Sequence, residues 1–489
     1  MGFLPHFYKP SLALLTDFYQ LTMAYGYWKS GMAEKNAVFN LFFRKNPFQG
    51  GFTVNSGLSY VVDYIESFRF QPDDLEYLRT IKGKNLEPMF EEGFLTYLKD
   101  LKITLDVDAI EEGRIVFPNE PLIRVKGPLI QAQLLETPLL NILNFQILIA
   151  TKACRVSNAA KGEPVMEFGL RRSQGIDGGL TASRAAYLGG CSSTSNVLAG
   201  KIFGIPVSGT HAHSWVMSFD NETLAFKEYA NALPDDCVFL VDTYDTLKGV
   251  KKAIEVGRSL READKELIGI RIDSGDLAYF SIEARKLLDE SGFENTKIIA
   301  SNDLDEHLIS SLKEQDAEIS AWGVGTKLVT AFDQPALGGV YKLSCMQNDY
   351  VWEDKIKLSE QAVKINNPGI QQVRRFYKDG KFNADMIYDI RMLSEGNNTM
   401  IDPVDHTKSK LLDHKKLDHE DLLVPVFKKG ERVYDLPELS ESRKTLQKDL
   451  KCLDKTVQRF VNPHIYPVGL EKSLHSVREQ LIMDLRKQK

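Results

Sequence analysis

The stretch VFLVDTYDTLKGVKKAIEVGRSLREADKELIGIRIDSGD, residues 238–276, is the part of the sequence that decides the fold class. Two short apolar runs, Val238–Val241 and Ile268–Ile272, flank a segment with apolar residues at helical spacing over Thr246–Leu260. The runs start roughly 30 residues apart, which is the size of one βα unit. Parallel neighbours need such a crossover, so the stretch predicts two parallel strands joined by a helix.

The same alternation of apolar runs and helical patterns extends in both directions, over about residues 160–345. Further short apolar runs are Pro164–Phe168, Ile205–Ser208, Lys297–Ala300, Ile319–Trp322 and Val340–Leu343. Helical patterns over Leu277–Asp289 and Asp303–Lys313 alternate with them. Apolar strands with helical crossovers predict a parallel sheet buried on both faces, either as a barrel or as an open doubly wound sheet.

Polar residues follow four of the predicted strands. The segments are Asp242-Thr-Tyr-Asp245, Asp273-Ser-Gly-Asp276, Ser301-Asn302-Asp303 and Gly323-Val-Gly-Thr326. Any one of them could simply cap the next helix, but a barrel active site requires polar groups at the carboxyl ends of many strands. Four in succession favour an α/β barrel with a functional site at this edge.

The chain has 489 residues, which suggests about three domains. We predict an N-terminal α+β domain over 1–135, with a helix in Leu12–Trp28, and the barrel domain over 136–350. The remaining residues, 351–489, lose the βα rhythm and read as a smaller, turn-rich domain with solvated helices such as Glu441–Lys455. The predicted class is therefore α/β, with additions at both ends of a barrel.

Charge and cysteine content limit the function classes. The net charge is −6, from 61 Lys and Arg against 67 Asp and Glu, which disfavours general nucleic-acid binding. Five cysteines without a CxxC pattern indicate reduced thiols in a cytoplasmic protein. The start of the chain lacks a signal-peptide pattern. The most apolar stretch, Leu139–Ala150, is short and contains two Asn and one Gln, so we predict a buried helix and no membrane span.

The segment Phe168–Ser218 is the densest in side chains that carry chemistry. Arg171 and Arg172 follow a predicted strand, where they could bind phosphate or carboxylate or form a structural ion pair. His211 and His213 would share one face of an extended chain and could clamp a metal. A hydrolase site of that kind needs further nitrogen ligands that later strands do not supply. A histidine nucleophile oriented by a carboxylate such as Asp242 is the other interpretation.

Six motifs, in order along the chain, resemble the nicotinate phosphoribosyltransferase family. They are LLTDFYQLTMAYGYW, FGLRRSQGIDG, GTHAHSWV, VDTYDT, IRIDSGDL and WGVGTKL, which together span residues 14–328. The resemblance implies an irregular TIM-like α/β barrel between an N-terminal α+β domain and a family-specific C-terminal domain. It also implies a homodimer with shared active sites. The implied reaction joins nicotinate to phosphoribosyl pyrophosphate, giving nicotinate mononucleotide and pyrophosphate, a step of NAD salvage.

The resemblance further implies coupling to ATP hydrolysis through a phosphohistidine, with Mg²⁺ at the pyrophosphate, so that the enzyme is classed as a ligase. His213 corresponds to the phosphorylated histidine, with Asp242 hydrogen-bonded to it. Asp273 would hold the ribose, and Arg271 would lie beside the phosphate and the pyridine. The family motif does not specify His211, and no side chain is assigned to the metal.

The remaining implied roles concern substrate binding. Phe168 and Tyr19 would sandwich the flat pyridine, with Tyr19 supplied by the neighbouring subunit. Ser195 stands where nicotinamide-using relatives have Asp, which predicts specificity for the acid, and Arg171 would attract the nicotinate anion. Lys342 would reach a phosphate from the partner subunit. The product phosphate would lie against Gly323, Gly325 and Thr326.

Two functions of other classes stay open at this stage. One is a metal-dependent amidohydrolase-like barrel that uses His211 and His213, which tightly bound transition metal would support. The other is a catalytically silent nucleotide-binding regulator on the same fold. The presence of His213, Asp242 and Asp273 together with the arginines argues against a decayed site.

Overall fold

The computed structural model describes residues 11–361, 364–392 and 398–487. The chain divides into two compact units, a central unit of residues 148–335 and a flanking unit of residues 1–147 and 336–489. The three-part division at residues 135 and 350 stays a prediction.

Strands and α-helices both occur throughout the described chain. The strands are β1 Asn36–Phe42, β2 Thr53–Val54, β3 Asp106–Ile110, β4 Ile115–Val116, β5 Ile123–Pro128, β6 Val165–Glu167, β7 Ser193–Thr194, β8 Val238–Leu240, β9 Gly269–Ile272, β10 Lys297–Asn302, β11 Ala321–Val324, β12 Val340–Asn348, β13 Val351–Asp354, β14 Gln371–Lys378, β15 Lys381–Asp389, β16 Asn398–Ile401, β17 Ser409–Leu412, β18 Asp418–Asp421, β19 Leu423–Lys428, β20 Glu431–Arg432 and β21 Val468–Glu471. The α-helices are α1 Phe18–Lys29, α2 Leu58–Ser67, α3 Pro72–Thr80, α4 Glu92–Asp100, α5 Leu129–Leu134, α6 Glu136–Ala159, α7 Ile176–Gly189, α8 Val197–Phe203, α9 His213–Met217, α10 Glu222–Ala232, α11 Thr246–Glu262, α12 Leu277–Glu290, α13 Glu306–Glu314, α14 Thr326–Val329, α15 Leu439–Cys452 and α16 Lys472–Lys487.

The central unit is built on a six-stranded sheet in the order β7-β6-β11-β10-β9-β8. Every pairing within it is parallel, and α11, α12 and α13 connect β8, β9, β10 and β11 in turn. The βα rhythm predicted from the sequence is therefore confirmed. The predicted strand Ile205–Ser208 is wrong, because this segment makes a single parallel bridge, Thr194 to Val207, instead of a ladder.

The flanking unit contains a seven-stranded sheet in the order β13-β12-β1-β5-β3-β19-β20. The apolar run Val340–Leu343, which the sequence placed in the parallel series, belongs here: β12 pairs antiparallel with β1. Its Tyr341 ring stacks on Phe39 of β1 with centroids 4.9 Å apart. An apolar run predicts a buried strand but carries no information about which sheet it joins, so the assignment to the parallel series was wrong.

The C-terminal residues form a second sheet of the flanking unit, in the order β17-β16-β21-β15-β14-β18. Its core cluster consists of Phe376, Ala384, Met386, Met400 and Leu412. The prediction of a turn-rich region with solvated helices missed this sheet.

One helical stretch, Leu129–Ala159, is long and apolar enough to cross a membrane by length and composition alone, and it is the one such stretch within the described ranges. Of its most apolar window, 61% is buried inside the protein. Packing in the core accounts for that apolar character. The predicted helix over Leu139–Ala150 is confirmed as part of α6.

Candidate active site

The loops after β8, β9 and β10 each divide their polar residues between two tasks. The later acid of each loop caps the following helix: the side chains of Asp245, Asp276 and Asp305 accept backbone N–H groups in the first turns of α11, α12 and α13. These three residues therefore satisfy the helix termini. The earlier polar residue of each loop remains available for other contacts.

Asp242 and Asp273, the earlier acids of the first two loops, and Ser301, at the end of β10, contact one another across the edge of the sheet. The Asp242 Oδ2 atom accepts hydrogen bonds from the Asp273 backbone N–H, at 2.9 Å, and from the Ser274 hydroxyl, at 2.6 Å. The Ser301 hydroxyl donates to the Asp273 Oδ1 atom. Neighbouring parallel strands end at one edge, so their first polar residues form a connected cluster there.

Arg271 is held in this cluster by three hydrogen bonds. Its Nε donates to Ser301 Oγ at 2.7 Å, its Nη1 to Thr210 Oγ1 at 3.0 Å and its Nη2 to Asp273 Oδ1 at 2.9 Å. The guanidinium carbon lies 5.7 Å from the centroid of the Phe168 ring. The sheet edge thus presents a fixed positive charge beside an aromatic face, an arrangement suited to a flat anion.

Asp273 is the carboxylate that these contacts keep ionised. Burial raises its pKa, but the hydrogen bond from Ser301 and the charge of Arg271 outweigh burial, and the net pKa is lowered. The group therefore stays negatively charged at neutral pH.

His213 opens the short helix α9 and faces Asp273. Its Nδ1 lies 3.2 Å from Thr243 Oγ1 and its Nε2 lies 3.8 Å from Asp273 Oδ2, with the side chain 40% exposed. The predicted hydrogen bond between His213 and Asp242 is wrong, because Asp242 Oδ2 accepts from Asp273 and Ser274 and its Oδ1 has no hydrogen-bond partner among the described residues. When Nδ1–H donates to Thr243, Nε2 keeps its lone pair.

His211 is a core residue. Its Nε2 accepts the backbone N–H of Leu240 at 3.2 Å, and its ring packs edge-on against Tyr229. Burial lowers its pKa to about 4, so the imidazole is neutral. The alternative in which His211 and His213 clamp a metal is therefore wrong, because the His211 Nε2 lone pair is used within the fold. Among the residues that the structure describes, neither histidine belongs to a group of three potential metal ligands.

Two glycines of β11 and its following loop allow Phe168 to approach. A Cβ on Gly323 would lie 2.7 Å from the Phe168 ring, and a Cβ on Gly325 would lie 3.2 Å from the Phe168 carbonyl oxygen. The Phe168 backbone N–H also donates to Val324, at 2.8 Å. Close packing against Phe168 is thus a reason for both glycines besides the predicted phosphate contact. Thr326 follows directly, as the first residue of α14.

The side chains of Arg171 and Ser195, two of the predicted binding residues, make no hydrogen bond or ion pair to the described residues. Arg171 lies exposed in the short 3-10 helix Leu170–Arg172 and makes no ion pair to the described residues. The Ser195 backbone N–H donates to the carbonyl of Glu167 at 2.9 Å. The cap of α8 is the Asn196 side chain, so the Ser195 hydroxyl is not needed to cap this helix.

Glu167 is a residue of the site that sequence reasoning missed. Its side chain is only 1% exposed. One carboxylate oxygen accepts the Ser183 hydroxyl at 2.8 Å and the Thr194 hydroxyl, and the other accepts the Gly169 backbone N–H. Together with its bond to Ser195, Glu167 fixes the positions of the Phe168 and Ser195 loops. The available signal was a carboxylate at the end of an apolar strand, which burial permits only with partners.

The last two predicted residues belong to the flanking unit. Tyr19 lies in α1 with a side chain 48% exposed. Lys342 lies in β12, where its Nζ donates to the Tyr341 carbonyl oxygen at 3.0 Å. Burial lowers the pKa of Lys342. The substrate roles of both residues stay predictions.

Comparison with known proteins covers nearly the whole chain. Family models described as the nicotinate phosphoribosyltransferase N-terminal domain, the nicotinate phosphoribosyltransferase family and its C-terminal domain match residues 14–144, 164–374 and 370–478. The nicotinate phosphoribosyltransferase of Bacillus subtilis is 44% identical, over 98% of this chain and 97% of that protein. That of Caenorhabditis elegans is 39% identical, over 94% and 92%.

The crystal structure of human nicotinic acid phosphoribosyltransferase superposes with a TM-score of 0.84 at 32% identity. The match covers 95% of this chain and 99% of the human one. Fold, length and sequence therefore agree, and the chain belongs to the nicotinate phosphoribosyltransferase family.

Proposed function

We propose that this protein joins nicotinate to phosphoribosyl pyrophosphate, giving nicotinate mononucleotide and pyrophosphate in NAD biosynthesis, with coupled ATP hydrolysis. The observation that carries the proposal is the cluster of Arg271, Asp273 and His213 beside the Phe168 ring, in a chain 44% identical to a bacterial nicotinate phosphoribosyltransferase.

The cluster suits a reaction at the ribose anomeric carbon. The pyridine nitrogen bonds to this carbon as pyrophosphate leaves, so positive charge develops on the sugar. An ionised Asp273 stabilises that charge and accepts from the ribose hydroxyls. Arg271 binds the anionic groups, and Phe168 stacks on the pyridine. Gly323, Gly325 and Thr326 hold the product phosphate.

His213 is the group through which ATP acts. Its Nε2 lone pair attacks the γ-phosphorus of ATP, the bond to the bridging oxygen breaks, and ADP leaves. Thr243 is compatible with this role, because its hydroxyl oxygen can accept from Nδ1–H, and in that tautomer Nε2 keeps its lone pair. Water later hydrolyses the phosphohistidine.

Oxygen donors near the cluster fit Mg²⁺. The Asp242 Oδ1 atom is buried without a hydrogen-bond partner among the described residues, and Asp273 offers Oδ2 nearby. Carboxylate oxygens are the ligands that Mg²⁺ prefers. When bound, the ion neutralises charge on the leaving pyrophosphate.

The finer architecture and assembly belong to the same proposal. We infer that the six-stranded parallel sheet is part of an irregular TIM-like barrel, and that the protein is a cytoplasmic homodimer with shared sites and no nucleic-acid or membrane partner. Exposed Leu15, Phe18 and Tyr19 on the flanking unit support a partner there. The five cysteines, which form no CxxC pattern, support a reducing compartment.

One assay tests the function. The purified protein is incubated with nicotinate, phosphoribosyl pyrophosphate and Mg²⁺, with and without ATP, and nicotinate mononucleotide is measured. We expect product in both, and more with ATP. A protein that binds the nucleotides but forms no mononucleotide would instead be a silent regulator.

Ser195→Asp tests the choice of pyridine. A carboxylate about 4 Å from the nicotinate anion costs ~1 kcal/mol in water and more in a drier site. We therefore expect kcat/KM for nicotinate to fall about tenfold or more, each factor of ten being ~1.4 kcal/mol, while use of nicotinamide falls less or rises. Ser195→Ala is the control without charge. Equal losses for both substrates would mean that Ser195 supports the fold only.

Glu167→Gln tests the positioning of the nicotinate pocket. An amide nitrogen cannot accept the bonds that Ser183, Thr194 or Gly169 donate to the carboxylate, and a lost buried acceptor costs about 1–3 kcal/mol. We expect KM for nicotinate to rise about tenfold while KM for ATP stays near its original value. A fall in melting temperature with both KM values unchanged would limit Glu167 to stability.

A further inference from the structure

Three potential metal ligands meet in the flanking unit, on a surface that the proposed reaction does not use. His475 and Glu479 lie four residues apart on α16 and therefore share one face of the helix. His406 comes from the turn between β16 and β17. Within the described ranges, these residues form the one group of three side chains whose ligand atoms could hold a metal ion.

The ligand atoms are close to the spacing of a tetrahedral site. They all lie within 4.8 Å of one another, and His406 Nε2 is 3.8 Å from Glu479 Oε1. The two imidazole rings are perpendicular, with centroids 4.7 Å apart. Bonds of about 2.0–2.1 Å to zinc place ligand atoms roughly 3.3–3.4 Å apart. Side-chain rotations that move the ligand atoms by about an ångström therefore bring the three groups to bonding distance.

An independent observation comes from the His475 ring. The residue is only 9% exposed, and its Nε2 atom is fully buried without a hydrogen-bond partner among the described residues. Buried polar atoms normally have a partner, and an exception asks for an explanation such as an ion. A bound metal that accepts the lone pair of this nitrogen would give the buried atom the partner it lacks.

The surrounding charges allow a cation. Arg478 donates from Nη1 to Glu479 Oε1 at 2.9 Å, which orients the carboxylate but places one positive charge nearby. The Glu479 charge offsets it. His406 is 46% exposed, so an ion can enter from solvent.

We propose that His406, His475 and Glu479 bind one Zn²⁺ ion, with water in the fourth position. Two imidazoles and one carboxylate are a donor set typical of zinc. The ion would join the β16–β17 turn to α16 and restrict the motion of both.

Zinc binding by the whole untagged protein tests this proposal. The protein is treated with chelator, freed of it, and dialysed against Zn²⁺, and bound zinc is measured by mass spectrometry. We expect one ion per chain in the wild type and in His464→Ala, which removes an exposed histidine elsewhere in the same unit. We expect none in His406→Ala or in Glu479→Gln, both chosen because the native side chains reach solvent.

Less than one ion per chain in the wild type, or full binding by His406→Ala, overturns the proposal, and so does equal loss in His464→Ala. Hydrogen exchange adds a local measurement. Zinc should slow amide exchange in residues 402–408 and in α16 of the wild type but not of Glu479→Gln. Binding without that slowing would place the ion elsewhere and contradict the site.

Discussion

His213→Ala is expected to abolish ATP hydrolysis and the incorporation of acid-labile phosphate from ATP into the protein. The imidazole Nε2 is the nucleophile of the proposed phosphoryl transfer, and no neighbouring group can replace it. Asp273, 3.8 Å away, accepts hydrogen bonds from Arg271 and Ser301, and a phosphate on its carboxylate would lack the acid lability of a phosphohistidine. Thr243 offers only a weakly nucleophilic hydroxyl. Labelling with γ-labelled ATP should therefore fall to background. Slow formation of nicotinate mononucleotide without ATP should survive, because ribosyl transfer does not itself need this imidazole.

His211→Ala is the matched control for that experiment. It removes an imidazole two residues away, but one whose Nε2 is bonded to the Leu240 N–H in the core. The melting temperature should fall, because the change leaves a cavity and an unpaired N–H. Phosphate incorporation per folded chain should stay close to wild type. Labelling of His213→Ala at the wild-type level would overturn the assignment of the phosphorylated residue.

The sequence could predict only those site residues that directly follow a recognisable strand. Asp242, Asp273 and Ser301 were indicated because each follows an apolar run, but the same was true of the helix caps Asp245 and Asp276. The path of each loop decides which acid caps the following helix and which acid contacts the polar residues of the neighbouring strands. The carboxylate beside His213 was missed for the same reason, since Asp273 rather than Asp242 turns toward it.

Long-range pairing explains the errors in the fold. The βα units of the central sheet are local in sequence, so their periodicity was enough to predict them. One of the two partners of β12 is β1, about 300 residues earlier in the chain, and no local pattern encodes that contact. The C-terminal sheet did carry one local signal, the Asp379-Gly380 turn between β14 and β15, where both residues have positive φ. Such a dipeptide between strands is a strong hairpin signal.

Asp273→Asn is expected to lower kcat for nicotinate mononucleotide formation by about 10²–10⁴-fold, or ~3–5 kcal/mol of transition-state stabilisation. Asparagine keeps the shape of the side chain but removes the charge that faces the developing positive charge on the ribose. It also removes the ionic partner of Arg271. Asp276→Asn makes the same chemical change three residues later, where the side chain caps α12. Asparagine is an equally good cap, so this control should keep nearly full activity.

Mixing two inactive variants tests whether the sites are shared between subunits. Tyr19→Ala should also be nearly inactive, if Tyr19 stacks on the pyridine in the neighbouring subunit's site. In a mixed dimer of Asp273→Asn and Tyr19→Ala, one site then collects both changes and the other site is wild type at both positions. Random exchange makes about half of the dimers mixed, so about one quarter of wild-type activity should return. If each Tyr19 served its own subunit, every site would carry one change and no activity would return. Verified subunit exchange without recovery would therefore contradict the shared site, whereas inactivity of Asp273→Asn alone would still stand.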